Sequence, residues 1–209
     1  DDVNNKQREV IYTQRDQVLK NEELKELILS MMRETVEETV STSLMADTIE
    51  EHDIKVLEDK FREIFDYELP ENLKNQNREE IIEAVNKDLT DRYNMKEQLI
   101  GEETFRRIER YIMLEVLDQK WRQHLKDLTE LREGIRLRSY GQRNPIHDYK
   151  IVAFDIYNEM IDAIKRETSS FILKLRVKGE EETENFKREE VSNVRYEHSN
   201  LDENDGEIT

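Results

Sequence analysis

Helix-breaking residues are scarce in this 209-residue chain: it contains five Gly and two Pro. In a helix interior Gly costs about 1 kcal/mol and Pro about 3 kcal/mol relative to Ala, so long runs without either are free to propagate helix. Apolar residues recur along these runs at three- and four-residue spacing, the mark of one buried stripe per helix. With 35% hydrophobic and 40% charged residues, the chain cannot fill a thick core but suits long amphipathic helices packed stripe to stripe. The expectation is an all-α fold without sheet.

Read along the chain, residues 1–20 predict a helix with Val3, Val10, Ile11 and Val18 as its apolar positions. Residues 22–45 continue the periodicity through Leu24, Leu27, Ile28, Met31, Val36 and Val40. The pattern leaves open whether one helix or two covers this span. It loosens over 41–52, then places Ile54, Leu57, Phe61, Ile64 and Phe65 on one helical face. Tyr67 to Asn77, with Pro70 and several Asn, reads as a loop. Residues 78–98 resume a helix through Ile81, Ile82, Val85, Leu89 and Tyr93, and Gly101 marks a break. The acid pairs Glu22-Glu23 and Glu79-Glu80 suit helix starts, where carboxylates meet the positive end of the dipole.

The longest pattern runs from Glu102 to about Arg138, through Ile108, Ile112, Val116 or Leu117, Trp121, Leu125 or Leu128, Leu131 and Ile135. At 1.5 Å per residue such a helix is roughly 50–55 Å long. Gly, Asn and Pro cluster in Ser139–Pro145, which predicts a turn. A second long helix follows over 146–177, with Tyr149, Val152 or Ala153, Ile156, Met160, Ile164, Phe171 and Leu175 as its stripe. Two such helices joined by a short turn predict an antiparallel hairpin. Trp121 is expected to be a packing anchor. Tyr140 lies at the turn among Arg136, Arg138 and Arg143.

Charge is unevenly spread. The net charge is −17, and residues 180–209 hold eleven acids against three basic residues. This stretch predicts a disordered acidic tail after Gly179. Arg132 to Lys150 holds five basic residues against two acids, a locally positive strip on an acidic protein. Nucleic-acid binding does not fit this balance, because phosphate contacts need positive charge. The absence of cysteine excludes disulfides and thiolate metal sites. His52, His124, His147 and His198 are scattered, so no metal site is expected. No glycine precedes Lys-Ser or Lys-Thr, so the backbone cradle and lysine of a phosphate-binding loop are missing, as are hydrolase signatures. No apolar run approaches the roughly 20 residues that span a bilayer. Asp1 opens within a charged helical stretch rather than with Met, so the chain reads as a portion of a larger protein.

Two blocks carry a family resemblance. Asp1-Asp2-Val3, Asn5, Gln7-Arg8, Ile11-Tyr12 and Arg15 form the first. The second holds Leu114, Leu117-Asp118, Trp121, His124-Leu125, Leu131-Arg132, Gly134-Ile135, Leu137-Arg138, Tyr140, Gln142 and Pro145, then Tyr149-Lys150, Phe154, Met160 and Ile164. Together they resemble the C-terminal, non-motor portion of SecA-type ATPases, which drive preproteins through the SecYEG channel. The match covers residues 1–20 and 101–177 well, and 21–100 mainly by position and helical character. The resemblance implies a helical scaffold in two parts, 1–20 and 101–178, a helical wing over 21–100, a two-helix finger with its tip at 139–145, and the tail 179–209. It implies that Tyr140, with Arg136, Arg138, Gln142 and Arg143, contacts the translocating chain and channel. It assigns Gln7, Arg8, Tyr12, Arg15, Trp121 and His124 to scaffold packing and motor coupling.

The implied partners are the motor domains of the same protein, the SecYEG channel, unfolded preproteins and an anionic membrane surface, at the cytoplasmic face of a bacterial plasma membrane. ATP and Mg belong to the parent; no cofactor, zinc site or catalysis is expected of this chain alone. Some positions depart from the family pattern. Ser139 stands for a usual glycine, Gly141 for a common alanine and Asp148 for a usual glutamate. Ile151-Val152 replace a typically charged pair, and the tail lacks a Cys-rich zinc segment. Housekeeping and accessory members both remain open, as does the rival reading of a purely structural helical interaction module.

Overall fold

The computed structural model describes residues 2–20, 23–45, 50–138 and 145–176. These form six α-helices and one short 3₁₀ turn, with no strand among the described residues: α1 (Asp2–Lys20), α2 (Leu24–Ser43), α3 (Glu51–Phe65), the 3₁₀ turn Glu71–Leu73, α4 (Arg78–Ile100), α5 (Glu102–Arg138) and α6 (Pro145–Lys174). The all-α expectation holds.

One helix, α2, covers the 22–45 span for which the periodicity left the number of helices open, and α1 ends before it. Glu23 stands in the left-handed region at φ 58° and heads α2. At α4 the acid pair acts through a capping box: Asn77 Oδ1 accepts from the Glu80 amide at 2.9 Å, and Glu80 Oε2 accepts from the Asn77 amide at 3.1 Å. Helix α3 ends at Asp66, at φ 51°. There Arg92 of α4 donates to the carbonyls of Phe65 and Asp66 at 3.0 and 3.1 Å, satisfying groups that the helix end leaves open.

Helices α5 and α6 form the most extensive pair, and α6 also packs on α2 and α3. Lys120 pairs with Glu167, and His124 stacks near Tyr157 further back along α6. Contacts that ascend α5 while descending α6 make the pair antiparallel. Helix α1 lies along the same hairpin, running against α5, since Gln7 meets His124 and Arg15 meets Asp118. One continuous core joins Ile11 and Val18 of α1, Ile28, Val36 and Val40 of α2, Leu57, Phe61 and Phe65 of α3, Val85 and Leu89 of α4, Leu117 of α5 and Ile164 of α6.

The predicted stripes hold through the middle of the two long helices, at Val116, Leu117, Trp121, Leu128, Ala153, Met160 and Ile164, and turn away from the periodicity at the start of α5 and the end of α6. On α5 the buried line runs through Phe105, Glu109, Met113 and Val116, while Ile108 and Ile112 are only partly buried. On α6, Phe171 is 52% exposed, and Thr168, Ser169, Ile172 and Leu173 face inward. Several polar side chains buried between the helices are satisfied locally, although Thr168 Oγ1 has no hydrogen-bond partner. Ser169 donates to the Lys165 carbonyl at 2.7 Å; Thr35 and Thr39 of α2 donate to carbonyls one turn back at 2.7 and 2.6 Å.

Candidate functional site

The hairpin has a packed part, its base, which reaches past the middle of α5 to His124, and a distal end, and the residues singled out from the sequence divide between them. At the base, α1 crosses both hairpin helices. Gln7 is 8% exposed and His124 1%. His124 Nε2 lies 2.8 Å from Gln7 Oε1, and the Gln7 amide donates to the Ala153 carbonyl at 3.4 Å. The Gln7 oxygen can only accept, so His124 carries its proton on Nε2. Burial holds the His124 imidazole below its ordinary pKa of 6.5, against a smaller opposing effect of Asp127. The neutral ring therefore starts a relay from α5 through α1 to α6.

Aromatic packing closes the same spot. The His124 ring centroid stands 5.4 Å from that of Trp121 and 5.8 Å from that of Tyr157, the second pair edge-on. Trp121 is buried, as a packing anchor should be. Arg15 bonds Asp118 at 3.2 Å at the half-exposed margin, and Tyr149 of α6 donates to Asn4 Oδ1 at 3.0 Å. The structure thus brings Gln7, Arg15, Trp121 and His124 together. It leaves Arg8 and Tyr12 on the exposed side of α1, where they pack against nothing in the core. Ala153, Tyr157, Asp118 and Tyr149 complete the base without having been assigned to it from the sequence.

The distal end is built differently. Leu137, near the last turn of α5, is 82% exposed, and Ile146, in the first turn of α6, is 69% exposed. Arg136 is exposed beside them, and Ile151 and Phe154 are exposed further back along α6, level with Tyr149 and Ala153. Arg138 is the last residue of α5. Tyr140, Gln142 and Arg143 lie outside the described residues, as do residues 139, 141 and 144 and the acidic stretch 179–209, while Pro145 of the predicted turn is the first residue of α6.

A second polar centre has no counterpart in the sequence reading. It sits where α4 meets α5. Tyr93 donates to Glu109 Oε1 at 2.5 Å, and Arg106 reaches the Tyr93 hydroxyl at 2.9 Å while pairing with both Glu109 and Glu97. Lys25 of α2 meets Glu97 at 2.5 Å, and Lys96 donates to the Leu175 carbonyl beyond α6 at 2.7 Å. Burial pushes the Glu109 carboxyl above its usual range, against the hydrogen bonds from Tyr93 and Arg106. The available signal was charge at the seam spacing: Glu109 lies four residues after Phe105 and four before Met113.

Among the described residues no three metal-ligating side chains converge, and no helix is long and apolar enough to cross a membrane. Residues 1–176 match the family model described as the SecA Wing and Scaffold domain. A protein translocase subunit SecA of Dechloromonas aromatica (strain RCB) is 36% identical over 214 residues, covering 99% of this chain and 24% of that protein. Protein translocase subunit SecA of Burkholderia thailandensis and that of Burkholderia mallei (strain NCTC 10229) are each 35% identical over 96% of this chain and 23% of their own length. The chain spans about a quarter of the length of these curated relatives. The chain, whose described residues form helices and no strand and whose residues 1–176 match the family model, belongs to the SecA family, as a wing and scaffold portion.

Proposed function

We propose that this chain is the scaffold and finger of a SecA translocase, coupling ATP hydrolysis in motor domains outside it to the movement of unfolded preproteins through the SecYEG channel. In this reading residues 1–20 and 101–178 are the two parts of the scaffold, 21–100 the wing, and the α5–α6 hairpin the finger with its tip at 139–145. The observation that carries it is the contrast along the hairpin. A 37-residue α5, roughly 55 Å long at 1.5 Å per residue, is clamped around its middle by α1, at Asp118 and His124, and left uncovered at its distal end. A rod of that kind transmits displacement from base to tip. Tyr140 supplies the contact, since an aromatic ring grips side chains and backbone without demanding a sequence. Arg136, Arg138, Gln142 and Arg143 engage carbonyl and acidic groups around it. Exposed Arg8 and Tyr12 on α1 are left to meet the motor.

In this reading ATP and Mg²⁺ belong to the motor domains of the parent and not to this chain. Gly101 is a helix cap and Gly134 lies inside α5, so neither forms a phosphate cradle. The nucleotide site is assigned to the absent motor domains, and the purified chain should show no ATP turnover. The parent would work at the cytoplasmic face of the bacterial membrane, beside anionic lipid.

The test is made in the parent protein. Tyr140→Ala should lower preprotein transport while basal ATP turnover persists, and a photocrosslinker at Tyr140 should capture a chain in transit. Normal transport together with no crosslink would leave the chain a structural helical module.

A further inference from the structure

The junction between α4 and α5 is one residue long. Helix α4 ends at Ile100, Gly101 caps it, and α5 begins at Glu102. Gly101 stands at φ 90°, where a side chain is disfavoured, and a Cβ there would meet nothing within 4 Å. The glycine is therefore required by the backbone torsion and not by space. Hydrogen bonding runs straight through the bend: the Gly101 amide donates to the Glu97 carbonyl at 2.8 Å, and the Phe105 amide to the Gly101 carbonyl at 2.9 Å.

The inside of this bend holds charge rather than hydrocarbon alone. Tyr93, Lys96, Arg106 and Glu109 are all buried, and the Tyr93 and Phe105 rings pack at 5.2 Å. Arg106 bridges carboxylates on both helices, Glu97 before the bend and Glu109 after it. Lys25 ties Glu97 to α2. Apolar contact is non-directional and tolerates sliding of one helix on another. A guanidinium held between two carboxylates and a phenol has a fixed geometry. Buried ion groups of this kind add little net stability over apolar residues of similar volume, so their role lies in selecting one arrangement.

We propose that Gly101 and the Arg106-centred network form an angle-setting joint, in which the glycine permits the bend and the buried charges choose the single angle at which α4 stands from the α5–α6 hairpin. The joint thereby fixes where the α3–α4 unit sits relative to the rod.

The chain has no cysteine, so spin labels enter cleanly at Glu83→Cys on α4 and Gln119→Cys on α5, both exposed. Pulsed electron resonance on the 209-residue chain then reads the distance across the bend. The combined Tyr93→Phe, Arg106→Met and Glu109→Leu variant removes the buried pair and keeps Lys25–Glu97. It should retain its helical circular dichroism while the distance distribution broadens about twofold, as packing without direction allows. Tyr93→Phe alone should broaden it less. Gly101→Ala should shift the mean distance, because the bend must reopen to relieve the torsion. An unchanged width in the combined variant overturns the role of the network, and so does loss of its helical signal, which would make the network a stabiliser. An unchanged mean in Gly101→Ala overturns the glycine's part.

Discussion

The base and the distal end of the α5–α6 hairpin are made from the same two helices, yet they are stabilised in different ways. At the base, Trp121, His124 and Tyr157 are covered by α1, and a glutamine threads a hydrogen-bond relay through all three helices. At the distal end Leu137 and Ile146 spend their apolar surface on solvent. Fold stability is concentrated where a third helix is present. The exposed end contributes little to it and so is free to be shaped for contact with something else. Substitutions of similar size should therefore have unequal effects along the rod.

The largest effect belongs to Trp121→Ala, which should cost about 3–5 kcal/mol by emptying the packed base. Denaturant unfolding of the chain measures it, and a loss below about 1 kcal/mol would dissolve the distinction between base and end. Next comes Gln7→Ala, which strands the buried His124 donor and should cost about 1–3 kcal/mol. If it is as mild as a surface change, the relay is incidental to the clamp.

The pH dependence sharpens the same contrast. The folded base keeps His124 neutral by burial, whereas the unfolded imidazole takes up a proton near its ordinary 6.5. The unfolded state therefore binds more protons between the two pKa values. This contribution to stability is complete above pH 6.5 and declines as the pH falls below it. Thermal unfolding between pH 7.5 and 5.5 should show the decline in the wild type and less of it in His124→Gln; equal slopes would detach the histidine from it.

Arg15→Ala tests the margin of the base. Its partner Asp118 is half exposed, so the loss should be at most about 1 kcal/mol. Smallest of all is Leu137→Ser at the distal end, expected within about 0.5 kcal/mol of wild type. A cost near that of Trp121→Ala would mean that the distal end is covered in solution.

Much of this was open to reading along the chain, and the reasons differ from element to element. The α3 face of Ile54, Leu57, Phe61 and Phe65 was legible because that helix buries one apolar stripe. The base residues Gln7 and His124 were legible only through their resemblance to a family pattern. Their burial could not be foreseen, because an amide and an imidazole enter a core only when partners on other helices satisfy them. Phe171 was placed inward by its spacing, but α6 packs on α5, α2 and α3 together, and that arrangement turns Thr168 and Ser169 in instead. Of the Tyr93–Arg106–Glu109 centre only Tyr93 was read, as part of the α4 stripe; Arg106 and Glu109 were missed because periodicity counts apolar residues.

By itself the sequence determined the helical class, the breaks at Gly101 and near Pro145, and the antiparallel pairing of the long helices. Those features follow from backbone propensity and local periodicity, which act over a few residues. Only the tertiary structure decided which arc of each helix is buried, how α1 clamps the hairpin base, and where charge is admitted to the core. Those depend on neighbours distant in sequence, since a polar group can be buried only where another element brings it a partner.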